Sequence, residues 1–275
     1  MMIWLGLAAA LLAFLIWQNN DIVVTRLDYA DRKVPPGFDG YRVLHVSDLH
    51  SKRFGRRQKR LLRLAGACRP DIIVISGDVI DGRRKWTRAA LSFVSQAAGI
   101  APVFFAAGNH EWRYSRYDAR RYDALKEELL TAGATVLDTE KTTLVKGNDR
   151  VSLMGVKDIA FNEGDEEAFE ERLATLADGM SGMTLLLSHH PEKFELYARY
   201  GFGLVFSGHA HGGQIRLPGI GGLFAPGQGL LPKYTSGLHR MGETSMVVSR
   251  GLGNSLFPFR VFNRPELVLV TLKRI

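Results

Sequence analysis

Two histidines separated by one small residue stand where an apolar run ends. His209 and His211 lie in the segment Gly-His-Ala-His-Gly-Gly-Gln at residues 208–214, directly after the run Leu204-Val205-Phe206. A strand that ends in a glycine-rich turn at this point presents both imidazole rings at its carboxyl end. Histidine is the commonest metal ligand but also an ordinary polar residue, so this pair alone leaves both a metal site and a plain strand end open.

Four further apolar runs end on side chains of the same kind. The residues concerned are Asp48 and His50 after residues 42–47, Asp78 after 72–76, Asn109 and His110 after 102–107, and His189 after 184–187. Each has an ordinary interpretation by itself, as a helix cap, a turn residue or a hydrogen-bonded polar group. Together they offer oxygen and nitrogen ligands without cysteine, a set that suits Mn, Fe or Zn and is large enough for two divalent ions.

The elements that must position these side chains alternate between strands and helices. Apolar residues at helical spacing predict helices over residues 58–68, 87–98, 117–130 and 168–177, interspersed with the apolar runs, which predict buried strands. Short strands over 143–145 and 151–155 predict a hairpin, and strands over 246–248 and 267–272 close the chain. This order predicts an α/β domain with at least one mixed sheet, whose strand ends carry the site.

Residues 1–17 contain no charged side chain and are apolar on every face. Their length is at the short end of the roughly 17 to 25 residues that span a bilayer core. A cleaved signal peptide would need a basic segment before the apolar core and a small-residue cleavage site after it, and neither pattern is present. We therefore expect residues 1–18 to form an uncleaved transmembrane anchor, 19–40 a linker or edge segment, and 41–275 the folded domain.

The cations beside the apolar segment predict its orientation. Arg26, Arg32 and Lys33 follow the segment, whereas only the α-amino group precedes it. Because positive charge stays on the cytoplasmic side, we expect a single-pass protein of the inner membrane with its domain in the cytoplasm.

The chain is basic, and its cations cluster beside the strand-end motifs. The formal charge is +8, from 36 Lys and Arg against 28 Asp and Glu, which favours phosphates or anionic lipid surfaces as partners. The clusters are Arg53, Arg56 and Arg57; Arg83, Arg84 and Lys85; and Arg113 and Arg116. We expect Arg53, Arg83 and Arg113 to bind substrate phosphate, with a plain solvated rim as the alternative. No nucleic-acid-binding motif accompanies the charge, so nucleic acid is not an expected partner.

The strand-end motifs resemble, in order and over roughly residues 42–214, those of the calcineurin-like metallophosphoesterase superfamily. The matching blocks are Asp48-x-His50, Gly77-Asp78-x-x-Asp81, Gly108-Asn109-His110-Glu111, His189-x-Pro191 and Gly208-His209-x-His211. The resemblance implies a four-layer αββα sandwich of two mixed β-sheets and two divalent metal ions, with manganese first and iron or zinc as alternatives. Residues 208–218 and 249–253 are similar to the membrane-associated bacterial phosphodiesterase branch, which includes enzymes that hydrolyse UDP-2,3-diacylglucosamine in lipid A synthesis.

The resemblance also implies a role for each matching residue. Asp48, His50 and His211 would bind one metal ion, Asn109, His189 and His209 the other, and Asp78 would bridge the two. His110 would contact the phosphoryl group and help the leaving oxygen depart. Asp81 and Glu111 either orient these ligands or are ordinary loop and helix-start carboxylates. His190 falls on the variable position before Pro191 and receives no role.

Together with the apolar N-terminal segment, the resemblance implies a dinuclear metal-dependent phosphoesterase at the membrane that hydrolyses a phosphodiester or pyrophosphate bond. A lipid-linked substrate such as UDP-2,3-diacylglucosamine is the preferred one. The alternatives are a broad-specificity envelope phosphodiesterase or phosphomonoesterase, and a catalytically silent module that binds phosphate or lipid. The apolar segment 217–231 is expected to pack on the domain as a lid, with contact to lipid as the alternative.

Overall fold

The structure, a computed structural model, describes residues 1–84, 86–162, 165–254 and 257–275. It begins with helix α1 (Met2–Asn20), which projects from the rest of the chain with nearly all of its side chains exposed. Only Gln18 and Asn19, at its carboxyl end, are buried. α1 is the one helix in the described residues that is long and apolar enough to cross a membrane.

Six further helices lie within the folded domain. They are α2 (Lys59–Ala67), α3 (Arg88–Ala97), α4 (Asn109–Ser115), α5 (Arg120–Thr131), α6 (Glu166–Ala177) and α7 (Phe194–Arg199). The four longest each bury one apolar stripe, as the helical spacing in the sequence predicts. Asp165 caps α6 because its carboxylate accepts hydrogen bonds from the backbone N–H groups of Glu167 and Ala168.

The first sheet has six strands in the order β1-β16-β2-β3-β4-β5. Its members are β1 (Val23–Asp31), β2 (Arg42–Val46), β3 (Ile72–Ile75), β4 (Val103–Phe105), β5 (Ala134–Val136) and β16 (Glu266–Arg274). Strand β16 pairs antiparallel with β2 and parallel with β1, whereas β2 to β5 are mutually parallel. The segment after α1 therefore forms the edge strand of a mixed sheet.

The second sheet also has six strands, in the order β14-β15-β9-β8-β7-β6. They are β6 (Glu140–Lys146), β7 (Asp149–Gly155), β8 (Thr184–Leu187), β9 (Leu204–Ser207), β14 (Gly237–Met241) and β15 (Thr244–Val248). Antiparallel hairpins form both edges, and the central strands β7, β8, β9 and β15 are parallel. Four short strands form two separate pairs between β9 and β14: β10 (Arg216–Leu217), β11 (Gly221–Gly222), β12 (Phe224–Ala225) and β13 (Gly229–Leu230).

Three apolar clusters show how the layers stack. One lies between α2, α3, α5 and the first sheet, a second lies between the two sheets, and a third lies between the second sheet and α6 and α7. Neighbouring residues of β3 point to different clusters, since Ile73 joins the first and Val74 the second. Strands covered on both faces explain why their sequences are unbroken apolar runs. The predicted four-layer sandwich of two mixed sheets is confirmed.

Several predicted boundaries differ from the structure. The helix expected over 117–130 begins only at Arg120, and a separate helix, α4, begins at Asn109. The strand β14 and the helix α7 were not predicted, because their apolar residues are few and interleaved with polar ones. The expectation that segment 217–231 packs as a lid is wrong for its large apolar residues. Those left exposed are Leu217, Ile220, Phe224, Leu230 and Leu231.

Candidate metal centre

The loops that leave neighbouring parallel strands carry all seven predicted metal ligands. Asp48 and His50 follow β2, Asp78 follows β3, Asn109 follows β4, His189 follows β8, and His209 and His211 follow β9. The carboxyl ends of parallel neighbours lie at one edge of a sheet, so each sheet presents its ligands at one place. The two sheets face each other, and their ligand-bearing edges meet.

Glycines at the strand ends allow this close approach. A Cβ at Gly208 would overlap Oγ of Ser47 and Oδ2 of Asp48, and a Cβ at Gly108 would overlap Oδ1 of Asp78. Any larger residue at either position would push a carboxylate out of the cluster. The glycine in each of the motifs Gly-Asn-His-Glu and Gly-His-x-His is therefore a packing requirement of the site.

Most of the predicted ligands have strained backbone. Positive φ angles occur at Asp48 (51°), His50 (48°), Asp78 (53°), His209 (63°) and His211 (48°). Such left-handed conformations cost on the order of 1–3 kcal/mol each for residues other than glycine. Backbone hydrogen bonds between the loops compensate, among them His50 N to Asp78 O at 3.0 Å and Asp48 N to Gly77 O at 3.1 Å. The strain is concentrated where the side chains must point into one small volume.

Four buried side chains form the first group. One ligand atom from each of Asp48, His50, Asp78 and His211 lies within 4.8 Å of the others. Nε2 of His50 and Nε2 of His211 are 3.2 Å apart, and Oδ1 of Asp48 is 3.4 Å from Nε2 of His211. Oδ2 of Asp78 is 3.6 Å from Nε2 of His50. Two carboxylates and two imidazoles thus converge on one point.

The second group adjoins the first through Asp78. Nδ1 of His189 donates a hydrogen bond to the carbonyl of Ser76 at 2.7 Å, which turns Nε2 toward Oδ2 of Asp78 at 3.2 Å. This Nε2 is buried and has no hydrogen-bond partner in the described part of the chain. Nδ1 of His209 lies 3.0 Å from Oδ1 of Asn109, and the backbone N–H of His209 donates to both carboxylate oxygens of Asp48 at 3.2 Å.

Burial and neighbouring charges set the protonation of these groups. Burial, together with the His110 ring, lowers the pKa of His50 to about 3, so its ring is neutral at pH 7. Burial opposes ionisation of Asp78, but His189 and His110 hold the pKa of that carboxyl well below its usual range. His50 and Asp78 are thus in the protonation states that bind cations. Burial opposes protonation of His189, but Asp78 and Asp48 raise the pKa of its imidazole well above the usual value, so a metal ion would have to displace its proton.

The donor set fits divalent metal ions. It consists of imidazole nitrogens and carboxylate and amide oxygens, and the described residues around it include no thiolate ligand. The Ser76 carbonyl fixes the tautomer and orientation of His189 in the manner usual for a metal-bound histidine. Nε2 of His189 has no hydrogen-bond partner among the described residues and lies beside the buried carboxylates of Asp48 and Asp78. A bound cation would give this nitrogen a partner.

His110 lies beside the first group, held by the loop that follows β3. Its ring centroid is 4.4 Å from that of His50, and its backbone N–H donates to Oδ1 of Asp78 at 2.8 Å. Nδ1 of His110 is 3.4 Å from Oδ1 of Asp81 and 3.3 Å from the backbone nitrogen of Gly82. Burial opposes protonation, yet Asp78 and then Asp81 raise the pKa of His110. Asp81 is thus a partner of His110 and of the Arg83 side chain, 3.4 Å away.

Glu111 is fully buried and ties two ligand loops together. Its carboxylate accepts hydrogen bonds from the backbone N–H groups of Asp78 (2.8 Å), Gly108 (2.8 Å) and Ile80 (3.1 Å). Burial and the Asp78 charge raise the pKa of Glu111 to about 7. The residue therefore positions the loops after β3 and β4 relative to each other.

The three predicted phosphate-binding arginines lie in different surroundings. Arg53 lines a cavity of about 940 Å³ that reaches His50. Lys52, Arg84 and Arg88 also line this cavity. Arg83 and Arg113 do not line that cavity, and Arg113 is exposed. Both Arg83 and Arg84 pair with Asp81, each with its Nε 3.4 Å from a carboxylate oxygen. Lys85 lies outside the described residues. Arg84 and Arg88 thus accompany Arg53 at the cavity more closely than the other two predicted residues do.

Two contacts of the site were not predicted from the sequence. His190, which received no role, stands between Asp158 (Nε2 to Oδ2, 2.9 Å) and Glu192 (Nδ1 to Oε1, 2.6 Å), with its ring 4.2 Å from that of His209. Asn263 donates from Nδ2 to the carbonyls of His211 (2.7 Å) and Gln214 (2.9 Å). Asp158 and Asn263 are distant along the chain from the residues that they contact and carry no local sequence signal, whereas Glu192 lies two positions after His190 and could have indicated that pair.

Comparison with known proteins identifies the family to which this chain is similar. Residues 41–213 match the family described as calcineurin-like phosphoesterase. The chain is 30% identical over 246 residues to the uncharacterized metallophosphoesterase YkuE of Bacillus subtilis (strain 168), a match that covers 87% of this chain and 82% of that protein. It is 30% identical over 235 residues to phosphodiesterase YaeI of Escherichia coli (strain K12), over 84% of this chain and 82% of YaeI.

A further relative is named as a transmembrane protein that contains a metallophosphoesterase domain. The transmembrane protein with metallophosphoesterase domain of Bos taurus is 28% identical over 263 residues, which cover 91% of this chain and 57% of that protein. The residues that match the family, 41–213, include every predicted ligand. The chain therefore belongs to the calcineurin-like phosphoesterase family and is a metal-dependent phosphoester hydrolase.

Proposed function

We propose that the chain is a phosphodiesterase that uses two divalent ions, with manganese as the preferred metal. Asp48, His50 and His211 would hold one ion, Asn109, His189 and His209 would hold the other, and Asp78 would serve both. The observation that carries this proposal is the convergence of Asp48, His50, Asp78 and His211 within 4.8 Å, with His189 on the other side of Asp78. When bound, two such ions lower the pKa of a shared water and neutralise charge that develops on phosphoryl oxygens.

The chain's own residues complete the chemistry. His110, held by Asp81, contacts the phosphoryl group and donates a proton to the leaving oxygen, since it lies beside the cluster and its pKa is raised. Glu111 holds the loops that carry Asp78 and Asn109 in a fixed relative position during turnover. Arg53 and its neighbours in the adjoining cavity attract and orient an anionic substrate.

The substrate we propose is a lipid-linked phosphodiester or pyrophosphate such as UDP-2,3-diacylglucosamine. Two features support it: the exposed apolar helix α1 beside the domain, and the cationic cavity that leads to His50. In this proposal α1 anchors the chain in the inner membrane and the catalytic domain lies on the cytoplasmic face, where Arg26, Arg32 and Lys33 favour it.

A substrate panel tests the proposal. The detergent-solubilised full chain, supplied with Mn²⁺, is incubated with bis(p-nitrophenyl) phosphate, with p-nitrophenyl phosphate and with UDP-2,3-diacylglucosamine. Faster turnover of the lipid-linked compound supports the full proposal. Cleavage of the soluble esters alone refutes the lipid-linked substrate and leaves a broad phosphoesterase. Cleavage of none refutes the catalytic proposal.

A further inference from the structure

The carboxyl end of α1 is fixed to the catalytic domain by buried hydrogen bonds. Oδ1 of Asn19 accepts from Nδ2 of Asn254 (2.7 Å) and from the backbone N–H of Arg260 (3.1 Å). The N–H of Asn263 donates to Oε1 of Gln18 at 3.3 Å. The segment around residues 257–264 therefore wraps around the base of α1, and the helix and the domain have a defined relative position there.

One contact shows how far the segment 257–264 extends along α1 from the carboxyl end of the helix. The ring of Phe262 packs edge-on against that of Phe14, with centroids 5.6 Å apart. Phe14 precedes the last residue of α1 by six positions, which corresponds to about 9 Å along the helix axis. The 19 residues of α1 span about 28 Å, close to the thickness of the hydrocarbon core. If α1 spans the bilayer, Phe14 lies within the hydrocarbon, and so does Phe262.

Other exposed apolar side chains share a groove with Phe262 or precede it in the segment 257–264. Leu217 and Ile220 line a groove of about 440 Å³ together with Phe262. Ile220 is 64% exposed and Phe262 is 52% exposed, and Phe257 and Phe259, earlier in the segment 257–264, pack on each other with more than a third of each exposed. Large apolar residues left in water are unusual unless they meet another apolar surface. Here Phe262 connects the groove to the apolar helix α1 through its contact with Phe14.

We propose that Leu217, Ile220, Phe257, Phe259 and Phe262, here called the apolar rim, insert into the surface of the lipid bilayer beside α1. This inference rests on the membrane-anchoring role proposed for α1. It adds a second lipid contact, made by the catalytic domain itself, which fixes how the domain is oriented on the membrane.

The apolar rim also brings the cationic cavity to the lipid headgroups. The cavity is lined by Asn254 and by Pro258 of the segment 257–264, and Nζ of Lys52 in its wall donates to the carbonyl of Asn19 and to Oδ1 of Asn254 at 3.0 Å. Arg53, Arg84 and Arg88 line its other parts, and His50 lies at its inner end. Anionic lipids attract such clusters. A phosphate at the membrane surface thus has a direct route to the metal centre.

Site-directed spin labelling tests this inference without measuring activity. Single cysteines replace Phe262, Ile220, Leu7 or Val145 in the full chain carrying Cys68→Ser, and each is labelled with a nitroxide. The protein is reconstituted in vesicles of phosphatidylcholine and phosphatidylglycerol in equal parts. Collision rates with oxygen, which enriches in lipid, are compared with those for a water-soluble nickel complex. Leu7 reports insertion of α1, and Val145, at the end of β6 remote from the ligand loops, is the aqueous control.

The labels at Phe262 and Ile220 should give an oxygen-to-nickel ratio at least about threefold above that at Val145, as expected for apolar side chains buried below the headgroups. If Leu7 reports lipid while both rim labels match Val145, the rim does not dock and the inference is wrong, although the anchor stands. If Leu7 itself reports water, the anchor and the rim contact are both refuted.

A variant with Phe257→Ser and Phe259→Ser gives an independent readout. Hydrolysis of a phosphodiester lipid embedded in vesicles should fall by about tenfold, because the domain loses its orientation on the membrane. Hydrolysis of bis(p-nitrophenyl) phosphate should stay unchanged, since neither side chain contacts the metal centre. Equal loss on both substrates, or on neither, would contradict a docking role.

Discussion

Oδ2 of Asp78 lies 3.2 Å from Nε2 of His189, although the first sheet carries the aspartate and the second carries the histidine. The same oxygen is 3.6 Å from Nε2 of His50. Asp78 therefore joins the two ligand groups and the two sheets at one atom. This position is the structural basis for the bridging role that we propose.

Replacing Asp78 by asparagine should abolish most activity while the fold persists. The amide keeps the size of the side chain but removes the negative charge that holds two cations together, so turnover of bis(p-nitrophenyl) phosphate should fall by about a thousandfold or more. Circular dichroism should be unchanged. The matched control Asp123→Asn, on the exposed face of α5, should retain full turnover. Near-normal activity of the Asp78 variant would refute the bridging role.

Gly208→Ala should disrupt the metal centre through packing alone. The added methyl group would overlap Ser47 and Asp48, so the Asp48 carboxylate or the β9 loop must move. We expect Mn²⁺ affinity to drop by about 10- to 100-fold, the range seen when the support of ligands is lost. Gly66→Ala in α2, where the nearest atom is 4.0 Å away, is the control. Titration of Mn²⁺ by calorimetry measures the difference, and equal affinities would show that the strand end tolerates a side chain.

Glu111→Ala should lower the free energy of unfolding by about 3 kcal/mol, because three buried backbone N–H groups lose their acceptor. Glu111→Gln keeps one acceptor oxygen and should recover part of this loss. Urea unfolding of both variants, beside the exposed-residue control Glu128→Gln, gives the comparison. If the alanine variant is as stable as wild type, the carboxylate does not tie the loops together.

The cluster of His190, Asp158 and Glu192 should make stability fall in alkaline solution. Burial opposes protonation, but Asp158 and Glu192 raise the pKa of His190 to about 10. Because this value is above that of an unfolded histidine, about 6.5, the cluster contributes fully below pH 6.5 and its contribution is lost as pH rises through about 10. Urea unfolding in chelator between pH 6 and pH 10 should show a steeper decline for wild type than for His190→Gln. Identical slopes would rule out a charged His190.

The sequence predicts the fold well because it depends on local patterns, and the structure brings the predicted ligand side chains together, although their role as metal ligands stays a prediction. Each ligand follows an apolar strand directly, and parallel strands place their carboxyl ends at one edge whatever the rest of the chain does. The helix α4 was missed because the segment that begins at Asn109 has seven residues and little apolar periodicity. Its cap, made by Glu111 and Gly108, becomes visible only in three dimensions.

Contacts between distant segments could not be predicted. One of the two partners of His190, Asp158, lies 32 positions earlier, and nothing near either residue indicates the pair. The packing of Phe262 against Phe14 joins the two ends of the chain. Segment 217–231 looked like a buried lid because it is apolar, but its short β pairs hold it at the surface.

The central claim is that two divalent ions held by these seven residues are required for catalysis. Elemental analysis of Mn²⁺-loaded full chain after desalting, with turnover of bis(p-nitrophenyl) phosphate measured on the same sample, tests it most directly. We expect two manganese ions per chain, loss of turnover on chelation, recovery on re-addition of Mn²⁺, and fewer bound ions in Asp78→Asn. Full turnover by a chain that holds one ion or none would contradict the claim.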